Sequence, residues 1–299
     1  MKLGVIVPQG WTGEYDGWDG DRAWARTKAV AAQAEALGFE SIWLFDHFHT
    51  VPKPTDEITF ESFTTLSALA ALTERVRLGH IVVCNGFRNP ALTAKMASTL
   101  DTISGGRFEL GIGAGWKREE WLAYGYGFPE TRQRLDSLRD GLEVITRMLE
   151  PGRERASFGG ELHAVEGAIN LPRRQAPPRL PIMVGGNGPE VTWRLAARFA
   201  DELNVDGLTP DELRAALPVV RSRCEEIGRD PASLTVSLHV WWGDDGWRAP
   251  GDRRIAFLGE LSELGLSRVI GLLQASATSD DALASLAEDA RAAGLSLAG

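Results

Sequence analysis

His47 is the side chain in this sequence best placed to move a proton. It follows the apolar run Ser41–Phe45 and stands beside Asp46 in Leu44-Phe45-Asp46-His47-Phe48. An imidazole next to a carboxylate at a strand end suits general acid or base work near neutral pH, although the same nitrogen could simply hydrogen-bond its loop. The other candidate positions are mostly glycine. Cys84-Asn85-Gly86, Gly113-Ala114-Gly115 and Gly185-Gly186-Asn187 each close a short apolar run. Bare main chain admits a ligand closely, and free N–H groups at the start of the helix after Gly188-Pro189 favour a phosphate, though an ordinary tight turn would read the same way. There is no nucleophile elbow, paired-carboxylate motif or metal-spaced cluster. Gly111-Ile112-Gly113-Ala114-Gly115-Trp116 begins like a dinucleotide fingerprint but carries tryptophan at the third glycine. Glycine, aromatic rings and few acids or bases together suit a large planar cofactor that brings its own redox chemistry.

These residues recur because apolar run, turn and amphipathic helix alternate along the whole chain. Expected strands are Leu3–Val7, Ser41–Phe45, Val76–Val83, Phe108–Ile112, Ile182–Val184, Leu203–Val205, Leu234–Trp242 and Ser267–Leu273. Helices are expected at about 22–37, 60–72, 90–103, 131–149, 189–200, 211–227, 253–264 and 281–293. Eight strand–helix units of this kind predict a single (β/α)8 TIM barrel over residues 1–299, with an open doubly wound sheet as the competitor. Residues 151–180 break the rhythm, with a strand-like pair around Ser157 and His163, and read as an insertion between helix four and strand five beside the mouth. In a barrel the strand carboxyl ends carry the chemistry. Asp46, His47, Cys84, Asp206 and Trp241 therefore belong at the top, whereas Gly106-Arg107 belongs at the bottom and serves stability. Trp43 and His80 fall within strands and are expected to pack. His49 lies just outside the rim, and neither it nor His163 has an identifiable partner.

A formal net charge of −9 and the absence of a basic face argue against nucleic acid as a partner. Two cysteines, Cys84 and Cys224, in no metal-like spacing fit a reduced cytoplasmic protein. Met1-Lys2 leads straight into a strand rather than a signal peptide, and no apolar run is long enough to span a membrane.

Five segments in order resemble the bacterial luciferase-like family of flavin- and deazaflavin-dependent barrels: Leu44–Phe48, Asn85–Leu92, Leu100–Arg107, Gly111–Trp116 and Pro181–Asn204. The resemblance runs from residue 3 to about 206, and Asp46-His47 with the Gly-Gly-Asn-Gly-Pro turn is similar to the branch that uses coenzyme F420. It implies an F420-dependent oxidoreductase passing a hydride between the deazaflavin and a small organic substrate. The alternative is an FMN-dependent monooxygenase served by a separate flavin reductase. By the same resemblance Asp46 and His47 face the ring, with His47 as proton relay. Cys84-Asn85-Gly86 lie behind it, with a non-proline cis peptide at or next to Cys84–Asn85. Gly113, Ala114, Gly185, Gly186 and Asn187 line the coenzyme, the last three through their amides, with Thr192 at a phosphate. Arg88, Lys117 and Arg118 steer the anionic tail. The insertion and Trp116, Trp121 and Trp242 wall the substrate side, and the relatives suggest a homodimer.

Overall fold

The computed structural model describes residues 1–176 and 178–297, so residue 177 of the expected insertion and residues 298–299 of the expected domain lie outside it. The strands are β1 Lys2–Ile6, β2 Ser41–Leu44, β3 Arg77–His80, β4 Val83–Cys84, β5 Phe108–Gly113, β6 Ala156–Gly159, β7 Ala164–Ala168, β8 Ile182–Gly185, β9 Glu202–Asp206, β10 Thr235–Val240 and β11 Arg268–Leu272. All but β6 and β7 pair in parallel, in the order β3-β2-β1-β11-β10-β9-β8-β5-β4. A further β3–β5 pairing closes the ring. β3 and β4 are two halves of one barrel strand, interrupted at Ile81-Val82, so the closed sheet has the eight stations of a TIM barrel. The helices are α1 Gly20–Leu37, α2 Ser62–Leu72, α3 Pro90–Ile103, α4 Arg118–Ala123, α5 Thr131–Leu149, α6 Thr192–Phe199, α7 Pro210–Glu225, α8 Asp245–Arg248, α9 Asp252–Glu263 and α10 Asp281–Ala292.

Strand alternation separates two cores. Leu3, Val5, Ile42, Leu44, Leu78, Leu110, Val184 and Leu203 point outward to the helices. Ile6, Trp43, Phe45, Ile81, Met183, Ile270 and Leu272 fill the lumen. Trp43 fits there because two neighbouring strands carry glycine. A Cβ would fall 2.7 Å from its indole at Gly4 and 2.2 Å from it at Gly79. Below this apolar layer a charged layer forms the floor, where Arg268 meets Glu109, Glu40 and Glu202. Above it the lumen opens into a cleft. Arg107 works at the bottom, as expected, donating to the carbonyls of Ala70, Thr73 and Val76 at the end of α2.

His80 is an outward core residue, fully buried, with its ring 4.2 Å from that of Phe63. Burial, with Arg88 nearby, pushes its pKa down to about 4 despite the opposing pull of Asp46. The folded protein thus holds His80 neutral where the unfolded chain, with a pKa of 6.5, takes up a proton. Stability falls as pH drops from 6.5 toward 4, by about 2–3 kcal/mol at pH 4.5 from this group. His80→Leu should lose less stability than wild type between pH 7 and 4.5. Urea midpoints at the two pH values check this, and an unchanged acid loss would count against it.

The insertion forms an antiparallel β6–β7 hairpin, as its pattern suggested. It packs on α5, where His163 Nε2 lies 2.8 Å from Ser137 Oγ, and none of its described residues lines the cleft above the lumen. Its expected place on the substrate side is therefore not where the chain puts it. The helix after β8 starts at Thr192 rather than near Pro189, with Val191 left 40% exposed as the residue before its first turn. No helix among the described residues is long and apolar enough to cross a membrane.

Candidate active site

The cleft at the top of the barrel has a cavity volume of about 250 Å³ and opens to solvent. Main chain at Gly113–Gly115 and Gly185-Gly186 lines one part, and Trp11, Phe45, Phe87, Trp116 and Trp241 line much of the rest. Val82 sits between the glycine turns: a Cβ at Gly113 would lie 2.9 Å from its methyl groups and one at Gly185 2.8 Å. The result is a slot with little side-chain relief, of the kind a flat ring system fits.

His47 lines this slot with its orientation fixed. Its Nδ1 is 2.6 Å from Glu120 Oε2, and Glu120 is fully buried on α4. The other oxygen of Glu120 accepts from the Phe48 amide at 3.1 Å. An ionised carboxylate only accepts, so Nδ1 carries the proton and Nε2 is the nitrogen left for a ligand. Trp11 stacks parallel on the imidazole at 4.0 Å and restricts its rotation. Gln9 secures that corner, bonding the Phe45 carbonyl and amide at 2.9 Å each.

Asp46 has a different task from the one its neighbour suggested. It is buried, receives two hydrogen bonds from Arg88, at 2.7 and 2.9 Å, and one each from Ser62 Oγ and the Cys84 amide. Burial alone would raise its pKa, but Arg88 and the surrounding donors hold it below the usual carboxylate range. Arg88 also meets Glu61 at 2.8 Å. Saturated by two carboxylates, Arg88 cannot steer an anionic tail; it locks the β2 end to the β4 end. Cys84 reaches the cleft, but burial, reinforced by the Asp46 charge, pushes its thiol up to about 12. No thiolate nucleophile exists there at neutral pH.

Asp46, His47, Cys84, Gly113, Ala114, Gly185 and Gly186 all line the slot, together with Thr192 and Lys117. Asn85, Gly86 and Asn187 do not. Asn85 turns outward to Ser137 Oγ at 3.1 Å. A Cβ at Gly86 would fall 1.9 Å from Trp121, and one at Gly115 2.3 Å from Cys84 Sγ, so both glycines make room for side chains that back the cleft. Asn187 straps β9, its side chain bonding both the carbonyl and the amide of Asp206. The Gly186 amide is also spent, on the Asn204 carbonyl at 3.0 Å. The non-proline cis peptide lies at Ile81–Val82, not at or next to Cys84–Asn85. It falls in the gap between β3 and β4, where neither residue is a glycine or proline that would mark it in the sequence. Trp116 and Trp121 line the slot, Trp242 packs behind against Trp11 and Phe45, and its neighbour Trp241 takes the exposed position. Arg118 does not line the slot, and Lys117 Nζ is 3.4 Å from the Pro52 carbonyl.

Two functional positions had no expectation attached. Glu120 is unmarked in sequence, because it lies 73 residues from His47 on a helix of one and a half turns. His239 was legible: Val236, Leu238 and Val240 set the outward phase of β10, leaving Ser237 and His239 for the lumen. No group of three His, Cys, Asp or Glu side chains among the described residues is placed to hold a metal ion.

The profile of the luciferase-like monooxygenases matches residues 1–293. The chain belongs to that family. It is 34% identical over 213 residues to an F420-dependent glucose-6-phosphate dehydrogenase of Kineococcus radiotolerans, a match covering 70% of this chain and 61% of the relative. It is 27% identical to the pyrimidine monooxygenase RutA of Rhizobium rhizogenes, over 80% of this chain and 67% of that one. In structure it resembles an F420-dependent secondary alcohol dehydrogenase solved with an F420–acetone adduct, at a TM-score of 0.81, 18% identity and 98% coverage of both chains. That likeness bears on the fold. The luciferase-like barrel of this chain thus has the closed ring, rather than the open sheet, that its eight units predict.

Proposed function

We propose that this luciferase-like chain is an F420-dependent oxidoreductase that exchanges a hydride between the deazaflavin and a small organic substrate. The observation carrying this reading is the His47–Glu120 pair, an oriented imidazole on a slot rich in glycine main chain and aromatic rings. Such a site can hold, orient and protonate, but it has no nucleophile or metal cluster of its own among the described residues. The curated relatives named for F420 support the choice of coenzyme. Gly113, Gly185 and Val82 would bound the ring, and Thr192 would meet the phosphate side. The bound coenzyme would accept or supply the hydride. His47 Nε2 would take the proton of a substrate hydroxyl, or return it to a carbonyl, while Glu120 stabilises the charged imidazole.

Cofactor titration tests the reading directly. Purified protein should bind F420 and bind FMN at least tenfold more weakly, followed by quenching of each cofactor's fluorescence; a tenfold ratio is about 1.4 kcal/mol. Tight FMN binding without F420 binding would replace this reading with the two-component monooxygenase, for which the resemblance to RutA speaks.

A further inference from the structure

His239 forms a second imidazole–carboxylate pair on the same cleft. Its Nδ1 is 2.7 Å from Asp206 Oδ1, so that nitrogen donates and Nε2 is left as an acceptor. The residue is only 6% exposed, and Nε2 makes no hydrogen bond among the described residues. A buried acceptor without a partner costs about 1–3 kcal/mol, and this one belongs to a residue that lines the cleft. The ring packs edge-on to Phe45 at 5.6 Å, and Phe45 also faces His47 at 6.4 Å. In the ring of strands β10 is three steps from β2, so the two imidazoles approach the cleft from different sides.

The charges around the cleft narrow what can lie between them. Among the described residues Asp46, Glu120 and Asp206 line it with one cation, Lys117, whose ammonium lies 3.9 Å from Glu119. Asp46 is compensated by Arg88; Glu120 and Asp206 face imidazoles. No cluster of basic side chains among the described residues stands ready for a doubly charged phosphate on the substrate.

We propose that His239, held by Asp206, is a substrate-recognition residue, and that the substrate is an uncharged compound with a hydroxyl for His239 Nε2 as well as the one at His47. This rests on the oxidoreductase reading for the reacting end of the substrate. It separates this chain from its sugar-phosphate dehydrogenase relatives by the charge of what enters the cleft.

The test uses the holoenzyme with reduced coenzyme, so that an alcohol forms a complex that cannot turn over. The probes are three neutral diols (propane-1,2-diol, butane-2,3-diol and trans-cyclohexane-1,2-diol) and their monophosphates, read by tryptophan fluorescence. At least one diol should bind about tenfold or more tightly than its phosphate. His239→Asn keeps an atom for Asp206 but none at the Nε2 position, and should weaken that diol about tenfold. His239→Gln places a carbonyl oxygen near the Nε2 position and should recover most of the affinity. Coenzyme affinity should stay the same in both variants. The proposal is overturned by phosphates binding as tightly as diols, by no diol binding, or by the Asn variant matching wild type while the Gln variant fails. Repeating the titration on coenzyme-free protein separates the two readings. Diol binding that depends on His239 in a chain that ignores F420 would remove the coenzyme assignment and leave the recognition residue standing.

Discussion

His47→Ala should lower kcat by about 10²–10⁴-fold, the usual contribution of a positioned general acid or base, while leaving F420 affinity within a few-fold of wild type. The imidazole supplies a proton site and little binding surface: it is one ring on a cleft with glycine turns, other aromatic rings and His239 in its walls. Its loss therefore falls on the chemical step rather than on coenzyme capture. Glu120→Gln tests how the imidazole is held. Glutamine can accept from Nδ1, but it cannot stabilise an imidazolium as a carboxylate does, and flipped it would donate to Nδ1 and favour the wrong tautomer. The expected loss is about 10–100-fold, with the pH dependence of kcat displaced because the protonated ring has lost its counter-charge. Fluorescence titration with F420 and steady-state turnover give the two readouts. Turnover unchanged in His47→Ala would remove the residue from the reaction, and a Glu120→Gln enzyme with the wild-type pH profile would reduce Glu120 to a loop anchor.

That pair also shows where the sequence stops being informative. His47 is visible because a strand-period run ends on it. Glu120 is not, because its only credential is a side chain that crosses from another unit of the barrel. The glycines divide in the same way. Gly113 and Gly185 line the slot, but Gly86, which looks identical in sequence, does not and makes room for Trp121. Likewise Gly4 and Gly79 read as weak points of two strands until the bulk of Trp43 is placed between them. Local pattern gives the order of elements and which face each residue takes; it cannot say which neighbour fills the space a missing side chain leaves. Arg88 is the converse case. A cation beside a glycine turn looks like a tail contact, and only the ring closure that brings Asp46 and Glu61 to it shows that its charge is consumed.

The charged floor of the barrel carries the largest stability effect expected of a single substitution. Arg268 is 4% exposed and lies 3.0 Å from Glu109, 3.4 Å from Glu40 and 3.5 Å from Glu202, beneath the indole of Trp43. Burial would raise the carboxyl of Glu109, but Arg268 and Arg77 hold it below the usual range. Glu202 is held above that range, by burial first and then by its acidic neighbours. One guanidinium thus offsets most of a buried acidic cluster. Arg268→Met keeps the stem and removes the charge, so it should cost about 3–5 kcal/mol at pH 7, the usual consequence of stranding buried carboxylates. The sign with pH follows from the same groups. Without the arginine the folded variant binds a proton on Glu202 at higher pH than its unfolded chain does, while Glu109 keeps Arg77, so the variant regains stability as pH falls from 7 toward 5. In wild type Glu109 has the opposite sign, its contribution being present at neutral pH and lost as pH falls through its depressed pKa. Urea midpoints of the two proteins should therefore converge on acidification. A variant as stable as wild type at pH 7, or a gap that widens in acid, would show that the floor is held by the Trp43 layer above it rather than by its charges.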